Sequence, residues 1–198
     1  MAFDFMDHSL MSQHMDAALK KGVESVKHPF HTFSLATITH VGRVDQRSVV
    51  LRQWEIERRS IIFFTDVRSP KVSQLARSPH CSVLFYSYPD RLQLRFSCYV
   101  HIHQFDRLSD YFFNELSDSQ RTHYMADQSP STDLDFEKKG TSSYQQVTTQ
   151  SQDPYQNFSV GVCNFDHLDL LYLGKDKHIR VVYSWDKEGN LVSKNIGV

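Results

Sequence analysis

Between Arg47 and Lys71 the chain reads RSVVLRQWEIERRSIIFFTDVRSPK, two apolar runs with cations and hydroxyls at their ends. RSVVLR opens on Arg47 and closes on Arg52 around Val49, Val50 and Leu51. SIIFFT then runs apolar into Phe64 and Thr65, and a short polar turn delivers Ser69 and Lys71. Guanidinium, ammonium and hydroxyl groups gathered at strand ends suit an anion. The apolar strands beside them offer a flank to a flat ring. Together they point to a phosphate-bearing, ring-containing cofactor. TDVRSPK supports the phosphate half, with Ser69 as a helix N-cap, Lys71 in the first helical turn and the helix dipole assisting. Residues five apart on a strand point to opposite faces, so Arg47 and Arg52 share one ligand only at a bend or a subunit boundary. A solvated strand end is the alternative for either arginine taken alone.

Other chemistries find less support. The chain has 11 histidines, and His101 and His103 share a strand face, but no carboxylate or cysteine completes a metal set at that spacing. No metal is expected. Cys81, Cys98 and Cys163 are scattered and odd in number, without a CxxC pair, which favours reduced thiols packed as small core residues. A formal net charge of −1 gives no global case for nucleic acid or an anionic membrane. The N-terminus is too acidic and interrupted for a signal peptide, and no apolar run approaches a membrane span, so a cytoplasmic location is expected.

The elements that must position these residues follow from periodicity. One domain is expected over residues 1–198, opening with an amphipathic helix at about 6–23 on Leu10, Met11, Met15, Ala18 and Leu19. Period-two strands follow: FSLATITHVG ending in a Gly turn, RSVVLRQWEIE, and IIFFT after a short ERRS connection. PKVSQLA predicts a short helix, HCSVLFYSY a strand, and LQLRFSCYVHIHQF a long one. A helix is expected over Leu108–Leu116, started by Ser109 or Asp110, and another over Ser117–Ala126. Residues from about 128 to 157 turn to Ser, Thr, Gln and Asp and read as a long polar loop, with one helical turn near Asp135–Lys138. FSVGVCNF, HLDLLYLG, IRVVYSWD and LVSKNIGV predict three or four closing strands, with a hairpin at KEGN. Short strands with few helices favour a mainly β, antiparallel barrel over βαβ units.

The order RSVVLR, FFT, SPK and LQLR resembles the FMN-binding split barrels of the pyridoxamine 5′-phosphate oxidase-like superfamily over about residues 30–105. The likeness is to the FMN-binding relatives more than to the vitamin B6 oxidase proper. It implies a six-stranded antiparallel split β-barrel with peripheral α-helices, and a homodimer with FMN at the subunit interface. By position, Arg47 and Lys71 would hold the FMN phosphate with Ser69 close by. Ser48, Val49, Val50 and Leu51 would follow the isoalloxazine and ribityl chain through backbone contacts. Phe64 and Thr65 match a flavin-contacting Tyr-Thr pair, Gln93 a flavin-contacting glutamine, and Gln128-Ser129 a Gln-Ser pair from the second subunit. Tyr172 sits where the family places a Trp. Arg52 ends the cofactor stretch and faces the substrate side.

The departures limit the substrate. Pro70 stands where the family commonly has Arg. The residues matching the oxidase's substrate-phosphate ligands are Arg52, Tyr111, Glu115 and Ser119, with a glutamate in place of arginine. A carboxylate facing a phosphate dianion costs on the order of 2–5 kcal/mol. The oxidase's Arg-x-His motif is replaced by His178-Ile179-Arg180, and its next FMN-contacting arginine falls near Val182. The expectation is therefore an FMN-dependent oxidoreductase acting on a small molecule and not efficient with pyridoxamine phosphate. Arg52, Tyr111, Ser119 and Arg180 are its candidate substrate contacts. No catalytic acid or base is named, because a flavin would supply the redox chemistry. A non-catalytic flavin carrier or sensor and a cofactor-free interaction module are the alternatives.

Overall fold

The computed structural model describes residues 8–126, 129–131 and 153–198. Its helices are α1 (His8–Glu24), α2 (Pro70–Arg77), α3 (Arg107–Asn114) and α4 (Asp118–Arg121). The strands are β1 (Thr32–Ile38), β2 (Val44–Val50), β3 (Gln53–Glu55), β4 (Ser60–Asp66), β5 (His80–Ser87), β6 (Leu92–His103), β7 (Phe158–Leu173), β8 (His178–Trp185) and β9 (Leu191–Asn195). All pairings are antiparallel, in the order β2-β1-β5-β6-β7-β4-β3 with β8 on β7 and β9 on β8, and the sheet curls into a half-barrel. The mainly β split barrel stands, with nine strands among the described residues where six were expected.

Two strand boundaries differ from the sequence reading, each for a physical reason. RSVVLRQWEIE is two strands. Leu51 donates to the His31 carbonyl at 2.8 Å and Arg52 to the Ile62 carbonyl at 2.8 Å, so the chain leaves β1 and crosses to β4 between them. FSVGVCNF and HLDLLYLG are conversely one strand, β7. Cys98 pairs with Phe165 and Ser97 with His167, so one extra residue, Asp166, is absorbed as a bulge. That bend lets β7 pair with β4 along its first half and β8 along its second.

The apolar runs are continuous where both faces of a strand are covered. Ile61 and Phe63 of β4 enter the barrel with Phe33, Leu35, Phe85, Leu94 and Phe96, while Ile62 and Phe64 meet Phe112, Leu116, Phe158 and Val160 beneath α3. Gly161 on β7 lies so close to the Phe63 ring that a Cβ there would come within 2.2 Å of it. Inside the barrel Trp54 stacks on Phe165 at 5.4 Å, and its indole N–H donates to Asp16 of α1 at 2.8 Å. Met11, Met15, Ala18 and Leu19 bury the α1 stripe expected of it.

α3 starts one residue before the expected span, because Asp106 rather than Ser109 is its N-cap. Asp106 accepts from the Leu108 and Ser109 amides, and Ser109 closes the capping box. The stretch expected as a helix over Ser117–Ala126 is only α4 followed by a 3₁₀ turn at Thr122–Tyr124. Gln128 and the expected turn at Asp135–Lys138 lie outside the described residues; Pro154–Gln156 forms a 3₁₀ turn. No described helix is long and apolar enough to cross a membrane.

Candidate functional site

Where β2, β4 and the start of α2 meet, four of the sequence-predicted side chains converge. The Lys71 ammonium lies 3.0 Å from Thr65 Oγ1 and also donates to Ser69 Oγ. Ser69 is the N-cap residue of α2, yet its hydroxyl makes no cap bond. Burial, and then the Arg47 charge, lower the Lys71 pKa against the opposing pull of Asp66 and Asp45. Arg47 is the neighbouring cation, held in a closed frame. It donates to the Leu35 carbonyl at 3.2 Å, to Thr37 Oγ1, to Asp45 Oδ2 and to Gln74 Oε1 at 3.1 Å. Gln74 in turn donates to Asp45 at 3.0 Å and accepts from Thr37 at 2.6 Å. Asp45 thus balances Arg47, whereas Lys71 has hydroxyl partners and no ion pair among the described residues. The site carries an excess positive charge beside two hydroxyls, which fits a phosphate.

Ser48 is exposed, Val50 half-buried, and Val49 and Leu51 turn their side chains into the core. That burial leaves Val49 and Leu51 backbone groups, not side chains, for any ligand.

Arg52 occupies a separate corner. Its guanidinium lies over the Phe64 ring, 5.3 Å from the centroid, and its buried Nε has no hydrogen-bond partner among the described residues. Beside it Tyr124 is pushed up to about 12, chiefly by burial, with the Arg52 charge opposing. Arg68 closes the corner through paired bonds to Asp66 at 3.0 and 2.7 Å and one to the Ala126 carbonyl at 2.9 Å. Phe64 packs on Phe112 of α3 at 5.2 Å. Tyr111 within α3, Glu115 at its C-cap and Ser119 on α4 are exposed.

Gln93 and Arg180 share a third place on the sheet, with Tyr172 on the same stretch of β7 but turned to the opposite face, against the barrel core. Gln93 pairs with Leu171 on β7, and Leu171 with Arg180 on β8. Arg180 makes a two-point ion pair with Asp169 at 2.9 and 2.7 Å, and Arg95 bonds the same carboxylate. Burial raises the Asp169 pKa, but these two arginines outweigh it and hold the carboxyl below its usual range. Val182 pairs with Asp169. The group is remote from Arg52. Arg52 bonds to Ile62, which pairs with Val162, and nine residues along β7 separate Val162 from Leu171. At ~3.3 Å per residue that is at most about 30 Å along the bent strand. One chain therefore brings together Arg47, Thr65, Ser69 and Lys71, places Arg52 and Phe64 nearby on β3–β4, and leaves Gln93, Tyr172 and Arg180 at the far end of the sheet. Ser129 is described but Gln128 is not.

Sequence reading missed Thr37, Asp45 and Gln74, which frame Arg47, and Tyr124 beside Arg52. Asp45 alone carried a signal, since two residues before Arg47 it shares a strand face. Thr37 and Gln74 come from other elements and carried none.

Residues 11–104 match the family described as pyridoxamine 5′-phosphate oxidase, FMN-binding domain. A pyridoxine/pyridoxamine 5′-phosphate oxidase of Paraburkholderia phymatum is 34% identical over 71 residues, which is 36% of this chain and 32% of that protein. The corresponding protein of Paraburkholderia xenovorans matches to the same extent. The match thus spans about a third of these relatives' length. Among solved structures, an oxidase-related FMN-binding protein of Nostoc punctiforme covers 94% of this chain and 96% of its own at a TM-score of 0.74 and 21% identity. PhzG of Burkholderia lata, solved with tetrahydrophenazine-1-carboxylic acid, covers 100% and 98% at a TM-score of 0.72 and 18% identity. At these identities it is the fold that is shared.

Proposed function

We propose that this chain, a relative of the pyridoxamine 5′-phosphate oxidase superfamily, binds FMN between two copies of itself and acts as an oxidoreductase on a small molecule other than pyridoxamine phosphate. The observation that carries the reading is the Arg47–Lys71 cradle, two adjacent cations of which one has, among the described residues, only the Thr65 and Ser69 hydroxyls for partners. A bound phosphate would restore the Lys71 charge that burial and Arg47 disfavour. Arg47, already fixed by Asp45, Thr37 and Gln74, would lend its field without having to be ordered on binding. FMN, when bound, would supply reversible electron acceptance.

The separation along β7 of the Arg52 corner from Gln93, Tyr172 and Arg180, nine positions apart, supports a two-chain site. Residues that cannot meet within one chain can meet across a two-fold axis, where each surface contributes to both copies of the site. Gln93 and Tyr172 would then flank the flavin bound in the partner's cradle, with Ser129 and Gln128 entering the same interface. Arg52, over Phe64 and with Nε unpartnered, would receive one negative charge on a ring-bearing substrate. Tyr111, Ser119 and Arg180 would line its approach. Glu115, exposed at the end of α3, would disfavour a dianionic group there.

The test is the purified protein offered FMN and then a panel of reduced and oxidisable substrates, pyridoxamine phosphate included. Flavin retention with turnover of another substrate is the expected result. Retention without turnover would favour a flavin carrier or sensor, and no retention would favour an interaction module. In the double variant Arg47→Ala/Lys71→Ala, FMN should wash out on desalting.

A further inference from the structure

The three cysteines, far apart in sequence, meet at one end of the barrel. Cys81 on β5 and Cys98 on β6 are direct cross-strand partners with both side chains on the barrel face, and Cys163 of β7, paired with Val100, is buried in the same core cluster. All three are free thiols. The pairing type can be read from the ladder. The Val100 amide donates to the Pro79 carbonyl at 2.8 Å, which makes 79–100 a hydrogen-bonded pair; such pairs alternate, so 81–98 is one too. Hydrogen-bonded partners have Cα atoms about 5.5 Å apart, inside the roughly 4.4–6.8 Å window of a disulfide. Their Cβ atoms lie at the wide end, about 5.5 Å against the 3.5–4.5 Å required, so closure needs a small approach of the strands and the bond formed is readily reduced. Cys163 is displaced along the ladder, since it pairs with Val100 while Cys98 pairs with Phe165. A diagonal offset of that kind puts Cβ atoms near 7 Å and disfavours a bond to Cys98.

Access differs among the three. Cys163 is fully buried, whereas Cys81 is half-buried and, with Cys98, lines a pocket of about 750 Å³ that also includes His80, Tyr99, Arg59 and Asp166. The neighbouring thiols, Cys163 first and then Cys98, lower the Cys81 pKa against the opposing effect of burial, which favours the reactive thiolate.

We propose that Cys81 and Cys98 are a reversible oxidation site, closing a cross-strand disulfide when the protein meets a small peroxide. The Cys81 thiolate attacks one oxygen of hydrogen peroxide, the O–O bond breaks, and a sulfenic acid forms as hydroxide leaves and takes up the Cys81 proton as water. The Cys98 sulfur then attacks the Cys81 sulfur. The S–O bond breaks, the Cys98 proton leaves with that oxygen as a second water, and the S–S bond forms. The two sulfurs lose two electrons and the peroxide gains them. Cys163 takes no part in the bond; it positions the Cys81 sulfur.

The experiment treats the purified full chain with hydrogen peroxide, blocks remaining thiols under denaturing conditions, and maps peptides by mass spectrometry. The expected result is a mass loss of two hydrogens, a linked pair of tryptic peptides covering 78–91 and 96–107, and reversal by dithiothreitol. Cys163→Ala should give the same linked pair at a slower rate, and Cys81→Ala should give none. A linkage through Cys163, bonds only between chains, irreversible oxidation of Cys81 alone, or unreacted thiols in the native protein would overturn the proposal. The wild-type peptide map decides even if a variant fails to fold.

Discussion

At the scale of single residues, the proposed phosphate site rests on Lys71 being charged in a place that disfavours the charge. Burial, and then Arg47, lower its pKa. The free protein therefore carries a penalty below the folded-state pKa of Lys71, relieved as pH rises through it, while a phosphate removes that penalty by pairing with the ammonium. FMN should raise the melting temperature most below that pKa, and the gain should shrink as the lysine deprotonates. In Lys71→Arg, whose guanidinium stays charged, the shrinkage should disappear; a pH-independent gain in the wild type would detach Lys71 from the phosphate. Arg47→Ala alone should weaken FMN binding about tenfold to a hundredfold, in line with a charged hydrogen bond of ~1.5–3 kcal/mol, and calorimetric titration reads this directly. Much of this cradle was legible in sequence, because Arg47, Thr65, Ser69 and Lys71 lie within one short stretch whose strand and helix signals are strong. The frame around Arg47 was not, because Thr37 and Gln74 reach it only through sheet pairing and the packing of α2.

At the scale of elements, the periodicities located the helices and strands and faltered at their ends. Leu51 and Arg52 continue an apolar pattern through a place where hydrogen-bond partners change from β1 to β4, a change visible only in pairing. Asp166 and His167 looked like a break because polarity interrupts the run, yet β7 runs through both, with Asp166 absorbed as a bulge and His167 paired with Ser97. The α3 start was misplaced for a local reason, since Asp106, Ser109 and Asp110 are all capping residues and the winner depends on where β6 releases the chain. Asp106 also accepts from His103 Nδ1 at 2.7 Å, tying that cap to the end of β6. Asp106→Ala should lower stability by about 1 kcal/mol, measurable as a fall in denaturation midpoint at unchanged slope. If Asp106→Ala leaves the midpoint unmoved, the cap contributes nothing to α3.

At the scale of the whole molecule, one sheet carries two sets of candidate residues at opposite ends, and the account joins them through a second copy. Mixed dimers test this without a structure of the assembly. An Arg47→Ala/Lys71→Ala chain and a Gln93→Trp chain, each first checked to lose FMN on desalting, are co-expressed and purified together. If cradle and Gln93 come from different chains, a mixed dimer has one site with both lesions and one with neither, so about a quarter of all sites should regain FMN. If they act within one chain, every site keeps a lesion and none is regained. The antiparallel barrel was foreseeable from short, turn-punctuated strands; the separation of its site residues was not, since it depends on the registers of β4, β6, β7 and β8.

The central claim is that the Arg47–Lys71 cradle holds FMN. Its most direct test is to saturate the purified chain with FMN, desalt it, and record visible absorbance beside the Arg47→Ala/Lys71→Ala variant of verified fold. The account expects about one flavin per chain in the wild type and none in the variant. A colourless wild type, or a variant that stays fully loaded, would contradict it.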